Sequence, residues 1–261
     1  MTVDAHVHVF TQDMPLVGTP RHKPNYDFTT ADLLRTFDAA GVQFGVIAAA
    51  SPWGDYNDFT LEACRASKRL RGTVILQSSV ERVTLEHMNA AGIVGVRLPL
   101  IGLKDLPDFT TFDWRRTFKR IADLGWHVHP HVDGPRLAPI LAMLEQTGVK
   151  IVVDHFARPE MTGSIQCPGF QATLRAIERG RTWVKVSAAY RIGHALAASC
   201  GRELLRTVGA DRLLWASDCP FVGHEQQFSY QSTIDCVREW VTEPGDRAKI
   251  FGANALALYF T

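Results

Sequence analysis

Short apolar, β-branched runs recur eight times along this chain, at 3–10, Phe44–Ala50, Gly72–Gln77, Gly95–Pro99, His127–Val132, Ile151–His155, Thr182–Ser187 and Arg212–Asp218. Between most of them lies a helical pattern. In Asp32–Ala40 the apolar residues Leu33, Leu34, Phe37 and Ala40 recur at helical spacing, Thr29 stands where a capping residue belongs, and Gly41 closes the segment. The same grammar returns in Trp114–Leu124 before Gly125, in Leu137–Gln146 before Gly148 and in Phe170–Glu178 before Gly180. Each glycine marks the turn toward the next strand. Eight alternations of this kind predict an α/β fold of the (β/α)8 TIM-barrel type, because an open doubly wound sheet usually has fewer strands. A chain of 261 residues, 46% hydrophobic and 21% charged, can bury one large core, so 1–261 reads as one barrel domain.

Charge and cysteine usage narrow the partners. The formal net charge is +1, and basic residues cluster only briefly, as at Lys68-Arg69 and Arg115-Arg116, so no nucleic-acid or membrane footprint is expected. A small-molecule ligand on a monomer or small homo-oligomer fits better. Five cysteines form no CxxC pair and are odd in number, which predicts reduced thiols in a cytoplasmic protein. No signal peptide or apolar run of about 18 residues is seen. GxGxxG, Walker and GxSxG motifs are missing too, which removes support for nucleotide folds and for a serine hydrolase. Cys219 is followed by Pro220 on a face that should be buried, so a nucleophilic role is disfavoured.

In a barrel of this type the chemistry sits at the C-terminal strand ends. There the chain places His6 and His8 on the first strand, Arg97 on the fourth, His129 and His131 on the fifth, His155 on the sixth, Arg191 just past the seventh and Asp218 on the eighth. Asp4, His6 and His8 share one face of an ideal strand, and two adjacent imidazoles need a polar network or a metal to satisfy them. His127 and His129 lie deeper than His131 and read as satisfied polar residues of the barrel layers. Asp154 and His155 should face opposite ways; His155 is taken as the inward one, with Asp154 pairing outward. Arg97 is either a bidentate carboxylate clamp or half of a structural ion pair. Arg158 reads as a residue holding carbonyls of its own loop. The segment 11–28 is long for a βα connection and reads as an active-site loop, from which Tyr26 can reach a substrate. Ser51 is a further hydrogen-bonding candidate.

His-x-His on strand one, His on strand six and Asp on strand eight resemble the amidohydrolase superfamily over nearly the whole chain. Within it, Asp4–Phe10, Asp154–Pro159, Trp183–Ser187 and Trp215–Asp218 are most similar to the 2-pyrone-4,6-dicarboxylate lactonase group, which includes sugar lactonases. The resemblance implies a hydrolase that opens a small carboxylated lactone, pyrone-like, muconolactone-like or derived from a sugar acid. Asp218 would be the base for the hydrolytic water, with His6, His8 and His155 around the scissile carbonyl. Arg97 and Arg191 would hold carboxylates, with Tyr26, Ser51 and His131 as further substrate contacts. Two positions depart from the group's pattern. A second arginine after Arg97 is missing unless Lys104 substitutes, and His131 stands where the group has tyrosine. His131 would complete a set with His6, His8 and Asp218 suited to one divalent ion, Zn²⁺ or Mn²⁺, beside the metal-free mechanism of the pyrone lactonase. The alternatives are a metal-dependent non-oxidative decarboxylase of an unsaturated or aromatic acid, and an acid-binding protein without turnover.

Overall fold

The computed structural model describes residues 1–160, 162 and 164–261. Eight parallel strands, β1 (Val3–Val7), β2 (Phe44–Ile47), β3 (Leu70–Val74), β4 (Ile93–Pro99), β5 (His127–His131), β6 (Lys150–Val153), β7 (Thr182–Val186) and β8 (Leu213–Trp215), pair in sequence order. A Val7–Cys219 bridge joins the last strand's exit to the first and nearly closes the barrel. The helices α1 (Thr30–Ala40), α2 (Asp58–Ala66), α3 (Arg82–Ala90), α4 (Phe112–Asp123), α5 (Gly134–Glu145), α6 (Pro168–Glu178), α7 (Ala189–Ile192), α8 (His194–Val208) and α9 (Tyr230–Arg238) follow the strands. Among the described residues no helix is long and apolar enough to cross a membrane.

Local chemistry explains these elements. Thr29 and Asp32 form a reciprocal capping box at the start of α1, and Gly41 ends it at φ 67°, a left-handed value that costs glycine little. Leu33 and Phe37 of α1 are fully buried against the barrel, each removing apolar surface worth about 1.5–3 kcal/mol. The Phe37 ring occupies the space where a Cβ on Gly45 would sit, so only glycine lets α1 approach β2 this closely. Gly95 does the same inside the barrel, where the His127 ring fills its side-chain space.

The interior is layered. Val3, Ala5, Val46, Val152 and Leu214 pack with Ala255 and Tyr259 of the C-terminal helical segment, forming an apolar plug at the bottom. Polar residues lie above it. Strict alternation, the basis of the sequence reading, breaks where the site is built. A register irregularity between Asp4 and Val7 turns Asp4 out toward Tyr230 of α9, at 2.6 Å, while His6 and His8 both turn inward. The expectation that Asp4 shares their face is therefore corrected. The strands also stop earlier than their apolar runs: β1 ends at Val7 and β8 at Trp215, leaving His8 and Asp218 on the connections above.

Those connections carry unusual backbone. His155, Phe156, Ala157 and Arg158 have φ between 45° and 64°, Ala188 has 51°, and Asp218 has 65°. Left-handed non-glycine residues each cost of order 1 kcal/mol and persist where surrounding structure fixes them. Here they swing side chains back over the barrel mouth. Asp154 follows Val152 into the interior by ordinary alternation, and the left-handed turn at His155 brings that residue in as well. Both face the site, which overturns the outward placement of Asp154.

Candidate active site

Four donor atoms converge at the barrel mouth. His6 Nε2 lies 3.1 Å from His8 Nε2 and 3.4 Å from Asp218 Oδ1, and His8 Nε2 lies 3.2 Å from the same oxygen. His155 Nε2 closes the group at 4.0 Å from Asp218 Oδ1. Backbone bonds hold this register: Asp218 N donates to the His6 carbonyl and His8 N to the Cys219 carbonyl, both at 2.9 Å. Asp218 has a divided carboxylate. Its Oδ2 accepts from Tyr190 Oη at 2.5 Å and Arg191 Nε at 2.8 Å, so Oδ1 alone faces the imidazoles.

The outer hydrogen bonds decide what those atoms can do. His8 Nδ1 is 2.8 Å from the Ala48 carbonyl, which can only accept, so Nδ1 carries the proton and Nε2 presents a lone pair. His6 Nδ1 sits 3.2 Å from Asp154 Oδ1 and, when it donates there, also presents a lone pair at Nε2. Two imidazole lone pairs and a carboxylate oxygen would then face one another. Their separations of 3.1–3.4 Å match the roughly 3.3 Å edge of a tetrahedron with metal–ligand bonds of about 2.0–2.1 Å. The donor set therefore fits a divalent ion such as Zn²⁺ or Mn²⁺.

Beneath lies a buried charge network centred on Asp154. Its Oδ2 accepts from Arg97 Nη2 at 3.2 Å, and its Oδ1 contacts His6, His129 and, at 3.6 Å, Lys185 Nζ. Lys185 Nζ also reaches His6 Nδ1 at 3.1 Å and His129 Nε2 at 3.2 Å. Asp154 and Lys185 thus compete for one ring nitrogen: Asp154 requires a proton on His6 Nδ1, and a Lys185 ammonium requires a lone pair there. Burial raises the Asp154 and Asp218 carboxyls, but His129, His155, His6 and Lys185 around the first, and Arg191, His155, His8 and His6 around the second, together outweigh it and hold both well below the usual range. Burial also lowers Lys185 to about 8. Asp4 is raised to about 6, because burial outweighs its bonds from Ser217 and Tyr230.

The histidines move together. Burial holds His6, His129 and His131 well below 6.5, His155 at about 4 and His127 at about 3. A depressed histidine stabilises the fold fully above its unfolded value of about 6.5 and loses that contribution as pH falls toward the folded value. Asp4 acts oppositely: its raised carboxyl favours the fold at low pH and loses that contribution as pH rises through about 6. Five histidines against one aspartate leave roughly four protons taken up on unfolding between about pH 6 and 4, each worth about 1.4 kcal/mol per pH unit. We expect Tm to fall by about 10 °C or more between pH 7.5 and pH 5, as read by calorimetry. A flat profile over that range would contradict the neutral histidine cluster.

The cavity above the cluster is lined by His8, Ser51, Arg97, His131, His155, Arg191 and Asp218, together with Phe10, Trp53 and the loop residues Arg21, His22 and Pro24. The loop 11–28 thus contributes its wall. Tyr26 does not line it: its hydroxyl donates to Glu225 Oε1 at 2.8 Å and its ring packs on Phe10. Lys104 is exposed and outside it. His131 groups with Asp154 and His155, and its Nδ1 is buried without a partner among the described residues, so His155 rather than His131 stands beside His6, His8 and Asp218. His127 Nδ1 donates to the Val94 carbonyl at 2.9 Å, in the deeper layer. Arg97 is paired to Asp154 and Arg191 to Asp218, and both line the cavity. Arg158 holds a neighbour through its own carbonyl, which accepts from Gly134 N at 3.0 Å, and not through Nε and Nη1, which lack partners among the described residues. Burial keeps the Cys219 thiol well above its ordinary value, in line with an inert residue. Sequence reasoning missed Asp154, Lys185, Tyr190, Arg21 and His22. Only Lys185, a lone charge between Val184 and Val186, carries a readable signal.

A family model described as Amidohydrolase matches residues 3–261. The chain is similar to a 2-pyrone-4,6-dicarboxylate hydrolase of Comamonas testosteroni, 31% identical over 238 residues that cover 84% of this chain and 76% of that protein. It is also similar to a 4-sulfomuconolactone hydrolase of Hydrogenophaga intermedia, 28% identical over 231 residues, or 85% of this chain and 75% of the relative. A solved structure of a probable 2-pyrone-4,6-dicarboxylic acid hydrolase from Acinetobacter baumannii, with citric acid bound, matches with TM-score 0.95 and 28% identity over 100% of this chain and 99% of that one.

Proposed function

The chain belongs to the amidohydrolase family, and from that premise we propose that it is a lactonase that opens a small carboxylated lactone by attack of water. One observation carries the residue assignment. Asp218 is held ionised by Arg191 and Tyr190 through one oxygen, and its other oxygen is turned toward three imidazoles on the floor of a cavity lined by arginine. The substrate carboxylate pairs with Arg97 and Arg191. This sets the ring carbonyl above His155.

A water between Asp218 Oδ1 and the carbonyl carbon gives its proton to Oδ1 as its oxygen bonds to carbon. With Ser187 Oγ donating to His155 Nδ1 across 2.8 Å, His155 Nε2–H points at the forming oxyanion. The tetrahedral centre then collapses, the ring C–O bond breaks, and the leaving oxygen takes the proton from Asp218. A carboxyl with a low pKa returns that proton readily. His6, His8 and Asp218, with His155 as a fourth donor when Ser187 accepts instead, would hold a Zn²⁺ or Mn²⁺ ion, which when bound polarises the carbonyl and acidifies water. Five free thiols support a reducing, cytoplasmic setting.

Purified protein assayed on pyrone, muconate and sugar-acid lactones should open at least one, seen as loss of ring absorbance with release of about one proton per turnover. Carbon dioxide without ring opening would replace the lactonase by a decarboxylase, and ligand-induced stabilisation without product would make it a binding protein. Activity surviving chelation assigns the chemistry to the side chains alone. Loss restored by Zn²⁺ or Mn²⁺, matched by elemental analysis, assigns it to the loaded site.

A further inference from the structure

The larger cavity near the C-terminal strand ends is not the one over the reacting groups. Behind α7, between the ends of β7 and β8 and the helices α8 and α9, lies a cleft of about 440 Å³, against about 50 Å³ at the barrel mouth. Its floor is Phe156, Val186, Ala216 and Val237, each 2% exposed or less, and its walls include the rings of Tyr190 and Phe228, whose centroids lie 4.8 Å apart. The floor offers water no side-chain hydrogen bond, and the hydroxyls beside it are engaged, Ser187 Oγ with His155 Nδ1 at 2.8 Å and Thr233 Oγ1 with the Tyr230 carbonyl at 2.7 Å. Polar atoms return at the rim. There His194 Nε2 lies 2.7 Å from Glu239 Oε2, which leaves Glu239 Oε1 without a partner among the described residues, and Cys236 Sγ faces His194 Nδ1 at 3.7 Å. No lysine or arginine among the described residues lines the cleft, whereas Arg97 and Arg191 line the barrel mouth. A deep apolar cleft with aromatic walls and one polar end has the form of a small-ligand pocket.

We propose that this cleft is a second binding site, for an uncharged aromatic molecule with a hydroxyl group, of the phenol class, and that its occupant is an activating effector. The ring fills the space between Tyr190, Phe228 and the apolar floor, and the hydroxyl donates to Glu239 Oε1 at the rim. An anion is excluded, because it would meet the carboxylates of Glu239 and Asp235 with no lysine or arginine to pair with. Tyr190 and Ser187 line the cleft on one side and hold Asp218 and His155 on the other, at 2.5 and 2.8 Å. The short helix α7, which carries Tyr190 and Arg191, runs between Ala188 at φ 51° and Gly193 at φ 92°. A ligand packed behind α7 favours the position in which the cleft is open, and that is the position in which Tyr190 engages Asp218. The binding site is independent of the lactonase reading; the effector role rests on it.

The probe is 4-fluorophenol, with 4-fluorobenzoate as the anionic control. Fluorine NMR titration of the wild type should give a Kd for the phenol below about 1 mM, and Cys236→Phe, which fills the cleft, should weaken it at least about tenfold. Unchanged binding in Cys236→Phe places the phenol elsewhere and overturns the site. A second arm uses the native protein. Four of the five thiols are buried and Cys236 is half-buried, so its alkylation by iodoacetamide, mapped by mass spectrometry, reports on the cleft. At about ten times its Kd the phenol should slow that alkylation about tenfold, and the benzoate should not. No protection by the phenol, or equal protection by the benzoate, overturns the site. In a lactone assay, saturating 4-fluorophenol should raise kcat at least about twofold in wild type and leave Cys236→Phe unchanged. Protection without that rise removes the effector role and leaves the site standing. If protection is seen and no lactone is opened, the lactonase reading falls and the site stands.

Discussion

Asp218→Asn should lower kcat by about 10³-fold or more while leaving a folded barrel, since removing a positioned general base typically costs 10²–10⁴-fold and the charge facing the reacting carbonyl is lost with it. The exchange is nearly isosteric. The introduced amide can keep its oxygen toward Tyr190 Oη and Arg191 Nε, the pair that holds Oδ2 at 2.5 and 2.8 Å, and turn its NH₂ toward the Nε2 atoms of His6 and His8. Arg191 then loses its counter-charge in a mostly buried position. That should cost up to about 3 kcal/mol, or roughly 6–12 °C in Tm for a chain of this size. Steady-state kinetics and calorimetry on the same preparation separate the two effects. A rate within about tenfold of wild type would move the base to another residue.

The sequence exposed the barrel because its signals are local. Strand runs, the Thr29–Asp32 cap and the Gly41 stop each arise within one turn or one strand, and the structure shows all three. His6, His8, His155 and Asp218 were legible for a related reason: a barrel brings strand ends together whatever the exact register, so knowing the strand suffices to know the neighbourhood. The losses came from alternation applied one residue too far. Asp4 and Asp154 were misplaced because a register irregularity in β1 and a left-handed turn after β6 reset the phase, and neither leaves a glycine to announce it. His131 illustrates a different limit. Its strand and height were read correctly, but which of His131 and His155 sits beside Asp218 depends on the turn at 155–158, set by tertiary packing around Phe156 and Ala157. Arg21 and His22 lie in a loop without periodicity, where nothing short of the closed Phe10–Phe28 bridge shows which residues reach the cavity.

Asp154→Leu should be the most destabilising single change in the barrel interior, lowering stability by about 3–5 kcal/mol and Tm by about 10 °C or more, because it leaves two buried cations uncompensated. Arg97, 4% exposed, loses the one carboxylate it pairs with among the described residues, at 3.2 Å, and fully buried Lys185 loses one at 3.6 Å. His6 and His129 lose their shared acceptor as well. The carboxylate is not expected to be a large net source of stability, since desolvating it offsets much of the attraction. The damage comes from stranding its partners. That distinction is measurable. Adding Lys185→Met to Asp154→Leu removes one stranded charge and supplies apolar volume, so the double variant should be more stable than Asp154→Leu alone by about 1–2 kcal/mol, whereas independent sites would make it less stable. Activity should stay low in both, because His6 Nδ1 has lost the acceptor that keeps a lone pair on Nε2, and with it the alignment of His6 toward His8 and Asp218. Recovery of stability without recovery of rate would mark Asp154 as the residue that fixes the His6 tautomer. Recovery of both would assign it to folding alone.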